Sequence, residues 1–136
     1  MVTQKEIHLK AYPRGFHLIS RTIEEALGPL PENGLLNLFL LHTSAGLCIN
    51  ENADPSVRVD FETIFNKLIP ENDPDYTHIF EGADDMPAHI KSALTGVSLS
   101  IPIRNGKLAL GTWQGIYLCE FRNYGGRRKL LCSILS

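Results

Sequence analysis

The sequence has few cysteines, no long hydrophobic run and almost no excess charge, and each absence excludes a class of protein. Three cysteines in 136 residues are odd in number and too few for a disulfide framework, so we expect buried thiols in a cytoplasmic protein. No segment approaches the roughly 20 apolar residues of a membrane span, and residues 1–6 lack the order of a signal peptide. The net charge of −2 offers no basic surface to nucleic acid.

What the sequence does contain is typical of one folded domain. With 43% hydrophobic and 21% charged residues, the composition predicts a single domain over residues 1–136. Alternating or continuous apolar segments near both ends predict strands, and the run from Leu35 to Leu41 predicts a strand buried on both faces or at a subunit contact. Asn105-Gly106 predicts a hairpin turn. Strands at both ends with helices between them indicate an α+β fold, with helices packed on one face of antiparallel sheet.

Ser20 can cap a short helix over Arg21 to Leu27, which ends at Gly28-Pro29, and two longer helices are indicated by their end signals. Asp54 is a good N-cap, Pro55 suits the first helical position, and an apolar stripe follows as far as Leu68. The second helix begins near Asp84 or Asp85 and ends before Gly96. Between them lies the longest polar loop, and a loop of that length in a small domain is more often functional than idle.

Histidines beside carboxylates are the leading candidates for a functional site. His42 ends an apolar strand, His78 lies in the long loop, and His89 lies in the first turn of the second helix, where the helix dipole favours a neutral ring. Neutral imidazole with a nearby carboxylate can bind a divalent metal or move protons. Simpler interpretations remain open: a core histidine at 42, a solvated loop histidine at 78 and an exposed helix residue at 89.

Other polar residues suggest a substrate site, again with simpler alternatives. Glu51 and Asp60 could hold magnesium, although Asp60 could also be solvated. Asp84 and Asp85 could act in the site or cap a helix. Trp113 is either part of the core or a wall for a flat ring, with Gln114 beside it. Arg122 could form an ion pair with Glu120 or bind phosphate together with Arg127.

Several segments together are similar to the YjbQ-like family. The similarity covers nearly the whole chain and rests on these sequence segments: Arg14-Gly15-Phe16-His17, His42-Thr43-Ser44-Ala45, Asn50 to Pro55, Glu81 to Lys91, and Gly111-Thr112-Trp113-Gln114-Gly115-Ile116. One position departs from the pattern, because Phe121 stands where many members have histidine.

The resemblance implies a fold, an assembly and an activity. The fold would be α+β with an antiparallel β-sandwich-like core, and the assembly a homotrimer. The activity would be that of a weak thiamine-phosphate synthase, which joins hydroxymethylpyrimidine diphosphate to hydroxyethylthiazole phosphate and releases pyrophosphate. The partner would therefore be a small phosphorylated metabolite.

The resemblance and the residue chemistry together give a set of expected roles. The metal, zinc or magnesium, would be bound by His42, His78 and His89. Catalytic roles fall to Glu51, Asp60, Asp85 and Glu120. Substrate binding falls to Thr43, Ser44, Asn50, Lys91, Trp113, Gln114, Arg122 and Arg127. Two alternatives stay open: a metal-dependent hydrolase of a phosphorylated metabolite, and a non-catalytic trimer that binds a small molecule or metal.

Overall fold

The computed structural model describes residues 1–136, which form eight strands and three helices. Their bounds are β1 Val2–His8, β2 Gly15–Leu18, α1 Ser20–Leu27, β3 Asn33–Leu40, β4 Ala45–Glu51, α2 Pro55–Leu68, α3 Asp85–Thr95, β5 Ser98–Arg104, β6 Lys107–Leu108, β7 Gln114–Glu120 and β8 Lys129–Leu135.

The strands form two antiparallel sheets. The larger has the order β1-β8-β3-β5-β6, and the smaller has the order β2-β7-β4. The main core, which includes Leu36, Leu38 and Leu118, draws side chains from both sheets. Ile23 of α1 also lies in this core, whereas α2 packs on β2 and α3 packs on β4. The predicted α+β fold with antiparallel sheets is therefore confirmed.

Strand β3 is buried on one face only. Leu36, Leu38 and Leu40 are buried, while Leu35 and Phe39 on the opposite face remain exposed. Of the two predicted explanations for this apolar run, burial on both faces within the chain is wrong, because no element of the chain covers the outer face of the strand.

The helix-end signals lie where the sequence places them. The Asp54 side chain accepts a hydrogen bond from the Ser56 backbone N–H at 2.9 Å, and Pro55 begins α2. Helix α3 ends before Gly96, whose φ of 87° suits glycine. Asn105 and Gly106 both have positive φ, as the predicted hairpin turn requires. None of the helices is long and apolar enough to cross a membrane.

Close packing between α3 and β4 fixes the position of the helix that carries the candidate site. The Ser92 hydroxyl donates to the Ala45 carbonyl at 2.7 Å, and the Leu47 N–H donates to the Gly96 carbonyl at 2.9 Å. A Cβ atom on Gly46 would lie only 1.9 Å from Thr95 Oγ1. Glycine at 46 therefore allows the strand to approach the end of the helix.

Candidate metal centre

Helix α3 places an acid and a histidine on the same face. Asp85 and His89 are four residues apart, so their side chains lie one above the other along the helix. Asp85 Oδ2 lies 3.2 Å from His89 Nε2. The Asp85 side chain is almost fully buried, and its place in the first helical turn favours a negative charge.

The loop before α3 supplies a second histidine. Residues 69–84 form neither helix nor strand, and they return the chain so that His78 faces the start of the helix. His78 Nε2 lies 2.9 Å from Asp85 Oδ2 and 3.7 Å from Glu81 Oε2. Ligand atoms of His78, Asp85 and His89 all lie within 4.8 Å of one another. We call these three residues the metal triad.

One oxygen in the metal triad lacks a hydrogen-bond partner. Asp85 Oδ2 is buried and close to both imidazoles, but neither contact has hydrogen-bond geometry. His89 Nδ1 lies 2.9 Å from the Thr43 carbonyl, which can only accept, so Nδ1 carries the hydrogen. In the neutral ring, the lone pair of His89 Nε2 then faces Asp85 Oδ2. Two opposed acceptors at this distance are unfavourable unless a cation lies between them.

The donor set fits a divalent metal ion. Zinc is bound by histidine nitrogen and carboxylate oxygen at about 2.0–2.2 Å, which places ligand atoms about 3.3 Å apart in a tetrahedron. The two contacts to Asp85 Oδ2, 2.9 and 3.2 Å, are close to that spacing. The Thr43 carbonyl orients the ring of His89, as protein groups around a metal commonly do for its histidine ligands.

Arg122 holds both acids at the start of α3. It contacts Asp85 Oδ1 through Nη1 and donates from Nε to Asp84 Oδ2 at 2.8 Å. Burial alone would raise the pKa of Asp84, but the Asn123 backbone N–H and the Arg122 guanidinium outweigh it and lower that pKa. Two carboxylates share one guanidinium, so the group keeps a net negative charge that suits a cation. Asp84 therefore pairs with Arg122 and does not cap the helix with its side chain.

Two recesses flank the metal triad. One, of about 410 Å³, is bordered by His78, Tyr76, Asp73 and Met86. The other, of about 620 Å³, is bordered by His89 together with apolar side chains such as Phe39 and Val97. Because each recess reaches one histidine of the triad, the site is open from two sides.

The structure does not bring His42 into the metal triad. His42 Nε2 accepts a hydrogen bond from the Lys129 backbone N–H at 2.8 Å, which occupies its lone pair. Burial and the nearby Arg128 charge lower the pKa of His42. The residue borders the same recess as His89. Its role as a metal ligand stays a prediction, and Asp85 takes the third position in the observed group.

Glu120 forms a buried ion pair with Arg128, and Ser44 accepts a hydrogen bond from the same arginine. Both Glu120 carboxylate oxygens accept from Arg128, at 2.8 and 2.7 Å, and Ser44 Oγ accepts from Arg128 at 3.0 Å. Glu120 is fully buried. The predicted Glu120–Arg122 ion pair is not formed, although the Arg122 backbone N–H contacts Glu120. Arg128 is missed by the sequence analysis, yet its inward position follows from alternation with the buried Leu130 and Cys132.

The three candidates before and within α2 are not among the clustered ligand atoms of the metal triad. Glu51 Oε2 accepts from the backbone N–H groups of Ala53 and Asp54 and so shapes the turn before α2. Asn50 Oδ1 accepts from the Glu51 N–H. Asp60 is exposed on α2. The catalytic and substrate-binding roles of these residues stay predictions without a shared site.

Trp113 lies in an exposed turn, and Gln114 follows it as the first residue of β7. Trp113 is 64% exposed, so it is not a core residue. Gln114 Oε1 accepts from the Gly111 N–H at 2.8 Å. Stacking of a flat ligand on Trp113 stays a prediction.

The other predicted phosphate-binding cations are already occupied by protein groups. Arg127 donates to the Leu9 and His8 carbonyls. Lys91 is 1% exposed and donates to Asn66 Oδ1 at 2.7 Å, and burial lowers its pKa. Phe121 is buried under this amine, whose Nζ lies 5.8 Å from the ring centre.

Fold and site together define a small α+β protein with a candidate mononuclear metal centre at the start of a helix. The chain belongs to the UPF0047 protein YjbQ-like family, whose model matches residues 5–136. The UPF0047 protein YjbQ of Salmonella typhimurium is 56% identical over 133 residues, covering 96% of each chain. The Escherichia coli O157:H7 protein of the same name is 48% identical over 133 residues, again covering 96% of each chain. A crystal structure of a YbjQ-like protein of unknown function from Sulfolobus solfataricus has a TM-score of 0.86 at 24% identity, covering 100% of this chain and 98% of that one.

These comparisons correct the activity inferred from the resemblance. The similar proteins carry only family names, and the solved neighbour is described as having unknown function. None of them points to thiamine-phosphate synthase activity, so that assignment is wrong as a description of this chain. The YjbQ-like family itself is confirmed.

Proposed function

We propose that the protein binds one divalent transition-metal ion through His78, Asp85 and His89. The observation that carries this proposal is the buried Asp85 Oδ2, which has no hydrogen-bond partner and faces two imidazole nitrogens. A cation at that point removes the conflict between opposed acceptors. Two imidazoles among three ligands favour zinc over magnesium, which prefers oxygen ligands and bound water.

Three protein ligands leave a coordination position open. When bound in such a site, zinc lowers the pKa of its coordinated water to about 7 and so supplies a nucleophile near neutral pH. The protein residues have the remaining tasks: Asp85 and the histidines hold the ion, and Thr43 and Arg122 orient those ligands. The two recesses offer space for a small molecule beside the open position.

Calorimetric titration of chelator-treated protein with zinc tests this function. We expect one zinc ion per chain, proton release on binding and weaker binding at acidic pH, because imidazolium cannot coordinate a metal. Magnesium titrated under the same conditions should give no comparable heat. A titration with no saturable heat of zinc binding would refute the proposed function.

Arg122 is expected to act as a positioning residue for the metal. Arg122→Lys keeps the charge but loses the planar contact to two carboxylates, so Asp85 is held less well. We expect zinc affinity to fall roughly 10–100-fold, as it does when a group supporting a ligand is lost. Arg104→Lys, at an exposed position at the end of β5, is the matched control and should leave the zinc affinity unchanged. Equal affinity in both variants, measured by competition with a zinc chelator, would exclude this role.

A homotrimer remains the proposed assembly. It is supported by the row of exposed apolar side chains on the outer face of β3, including Leu35 and Phe39, which no part of the same chain covers. Light scattering coupled to size-exclusion chromatography tests the assembly. The measured mass should be three times that of one chain, and Phe39→Glu should lower it. A wild-type mass equal to one chain would contradict the trimer.

A cytoplasmic location also remains a proposal. It is supported by the cysteines, all three of which are free thiols, two of them buried. Fractionation of the native cells with a specific antibody tests it, and recovery outside the cytoplasm would contradict it.

A further inference from the structure

Two of the three cysteines lie next to each other between the smaller sheet and its helices. Cys48 on β4 and Cys119 on β7 have their sulfur atoms 3.6 Å apart. In the register of the two strands, Cys48 is opposite Tyr117, and Gly46 is opposite Cys119. The two cysteines are thus diagonal neighbours on one face of the sheet. Neither belongs to the metal triad.

The two thiols differ in access to solvent. Cys119 is fully buried in an apolar cluster with Phe16, Ala88 and Phe121, whereas Cys48 is half-buried at the edge of that cluster. The hydrogen bond from Cys119 lowers the pKa of Cys48, and the same contact together with burial raises the pKa of Cys119. Cys48 is therefore the more reactive thiol and Cys119 the one placed to react next.

We propose that Cys48 and Cys119 form a redox-active dithiol, which a small hydroperoxide converts to an intramolecular disulfide. Diagonal residues of a regular sheet are farther apart than most disulfides allow, so closing the bond requires a small backbone shift. Strand β4 can supply it, because it is the edge strand of its sheet and pairs only with β7. A bond formed under such strain is readily reduced, which makes the modification reversible.

The chemical balance needs one peroxide for each disulfide. The Cys48 thiolate attacks one oxygen of hydrogen peroxide, the O–O bond breaks, and the departing hydroxide takes up the proton released by Cys48 to give water. Cys48 is now a sulfenic acid. Cys119 Sγ attacks Cys48 Sγ, the S–S bond forms and the S–O bond breaks. Hydroxide leaves with the Cys119 proton as a second water, so two thiols are oxidised and one peroxide is reduced.

Oxidation is also coupled to helix α3 through the backbone of β4. Ala45 and Leu47, on either side of Gly46, are hydrogen-bonded to Ser92 and Gly96 at the end of that helix. There is no space for a side chain at Gly46, because a Cβ atom there would lie 1.9 Å from Thr95 Oγ1. A shift of β4 towards β7 therefore moves the anchors of the helix that carries Asp85 and His89.

Peroxide titration followed by alkylation under denaturing conditions and mass spectrometry tests this inference. We expect Cys48 and Cys119 to lose alkylation together, their peptides to be joined within one chain, and dithiothreitol to restore both. Cys132 should not be oxidised and should still be alkylated after peroxide treatment, because burial raises its pKa to about 11. Cys132→Ser is the matched control and should form the same disulfide, whereas Cys119→Ser should leave a Cys48 sulfenic acid that dimedone traps.

The contradicting results are equally specific. The inference fails if both cysteines remain alkylatable in peroxide, if the linkage joins two chains, or if it includes Cys132. Peptide mapping of the wild type alone decides between these results if Cys119→Ser does not fold. Peptide mapping detects the disulfide directly and needs no zinc, so failure of the dithiol and failure of the metal centre are distinguishable.

Discussion

Replacing His89 with alanine is expected to abolish stoichiometric zinc binding while leaving the fold intact. His89 Nε2 faces the buried Asp85 Oδ2 at 3.2 Å, and its Nδ1 atom is hydrogen-bonded to the Thr43 carbonyl. Without the ring, Asp85 and His78 alone remain, and two ligands do not hold zinc against water. We expect the affinity to fall roughly 100-fold or more, beyond the effect of losing a group that only orients a ligand.

The control for this variant is His8→Ala. His8 is half-exposed on β1 beside Glu6, at 3.7 Å, and lies outside the metal triad. Zinc content after dialysis, measured by plasma mass spectrometry, and circular dichroism should be recorded for both variants. Wild-type zinc content in His89→Ala would remove His89 from the site. Equal loss in both variants would indicate that the zinc was bound elsewhere.

The largest effect on stability is expected from Arg128→Ala. The Arg128 guanidinium contacts both oxygens of Glu120 and also Ser44, and side-chain exposure is 5% for Arg128 and 0% for Glu120. Loss of the arginine leaves a buried carboxylate without its charge partner, which costs about 3–5 kcal/mol in the free energy of unfolding. A Cβ atom on Gly125 would lie 2.2 Å from Glu120 Oε1, so the backbone at Gly125 packs closely against this carboxylate.

Urea unfolding measures this effect, with Arg21→Ala as the control. Arg21 also pairs with a glutamate, Glu25, but its side chain is 91% exposed, and the expected loss is below about 1 kcal/mol. The double variant Arg128→Met with Glu120→Leu should recover much of the stability, because both charges are removed together. Equal losses in Arg128→Ala and Arg21→Ala would show that burial of the Arg128 pair has no effect on stability.

The parts of the fold that follow from local signals could be predicted from the sequence. Asp54-Pro55 predicts the start of α2, Gly96 the end of α3 and Asn105-Gly106 the turn after β5, because each depends on the conformational preference of one or two residues. Strand limits were less accurate. The apolar run from Leu35 to Leu41 predicts a strand, but β3 spans Asn33–Leu40, because its ends are set by pairing with β5 and β8.

The proximity of Asp85 and His89 could also be predicted from the sequence, but which other histidine joins them could not. Asp85 and His89 are four residues apart in a helix, and that spacing alone places them on one face. The approach of His78 depends on the path of a long loop without periodicity. The hydrogen bond that His42 accepts comes from Lys129, 87 residues away in sequence. Long-range contacts of this kind leave no local signal.

Diffraction from crystals of the wild-type protein grown with zinc, recorded on both sides of the zinc absorption edge, tests the metal centre most directly. The account predicts one anomalous peak per chain at about 2.0–2.2 Å from Asp85 Oδ2 and from the Nε2 atoms of His78 and His89. A peak at other residues, or an ordered triad with no peak at all, would contradict it.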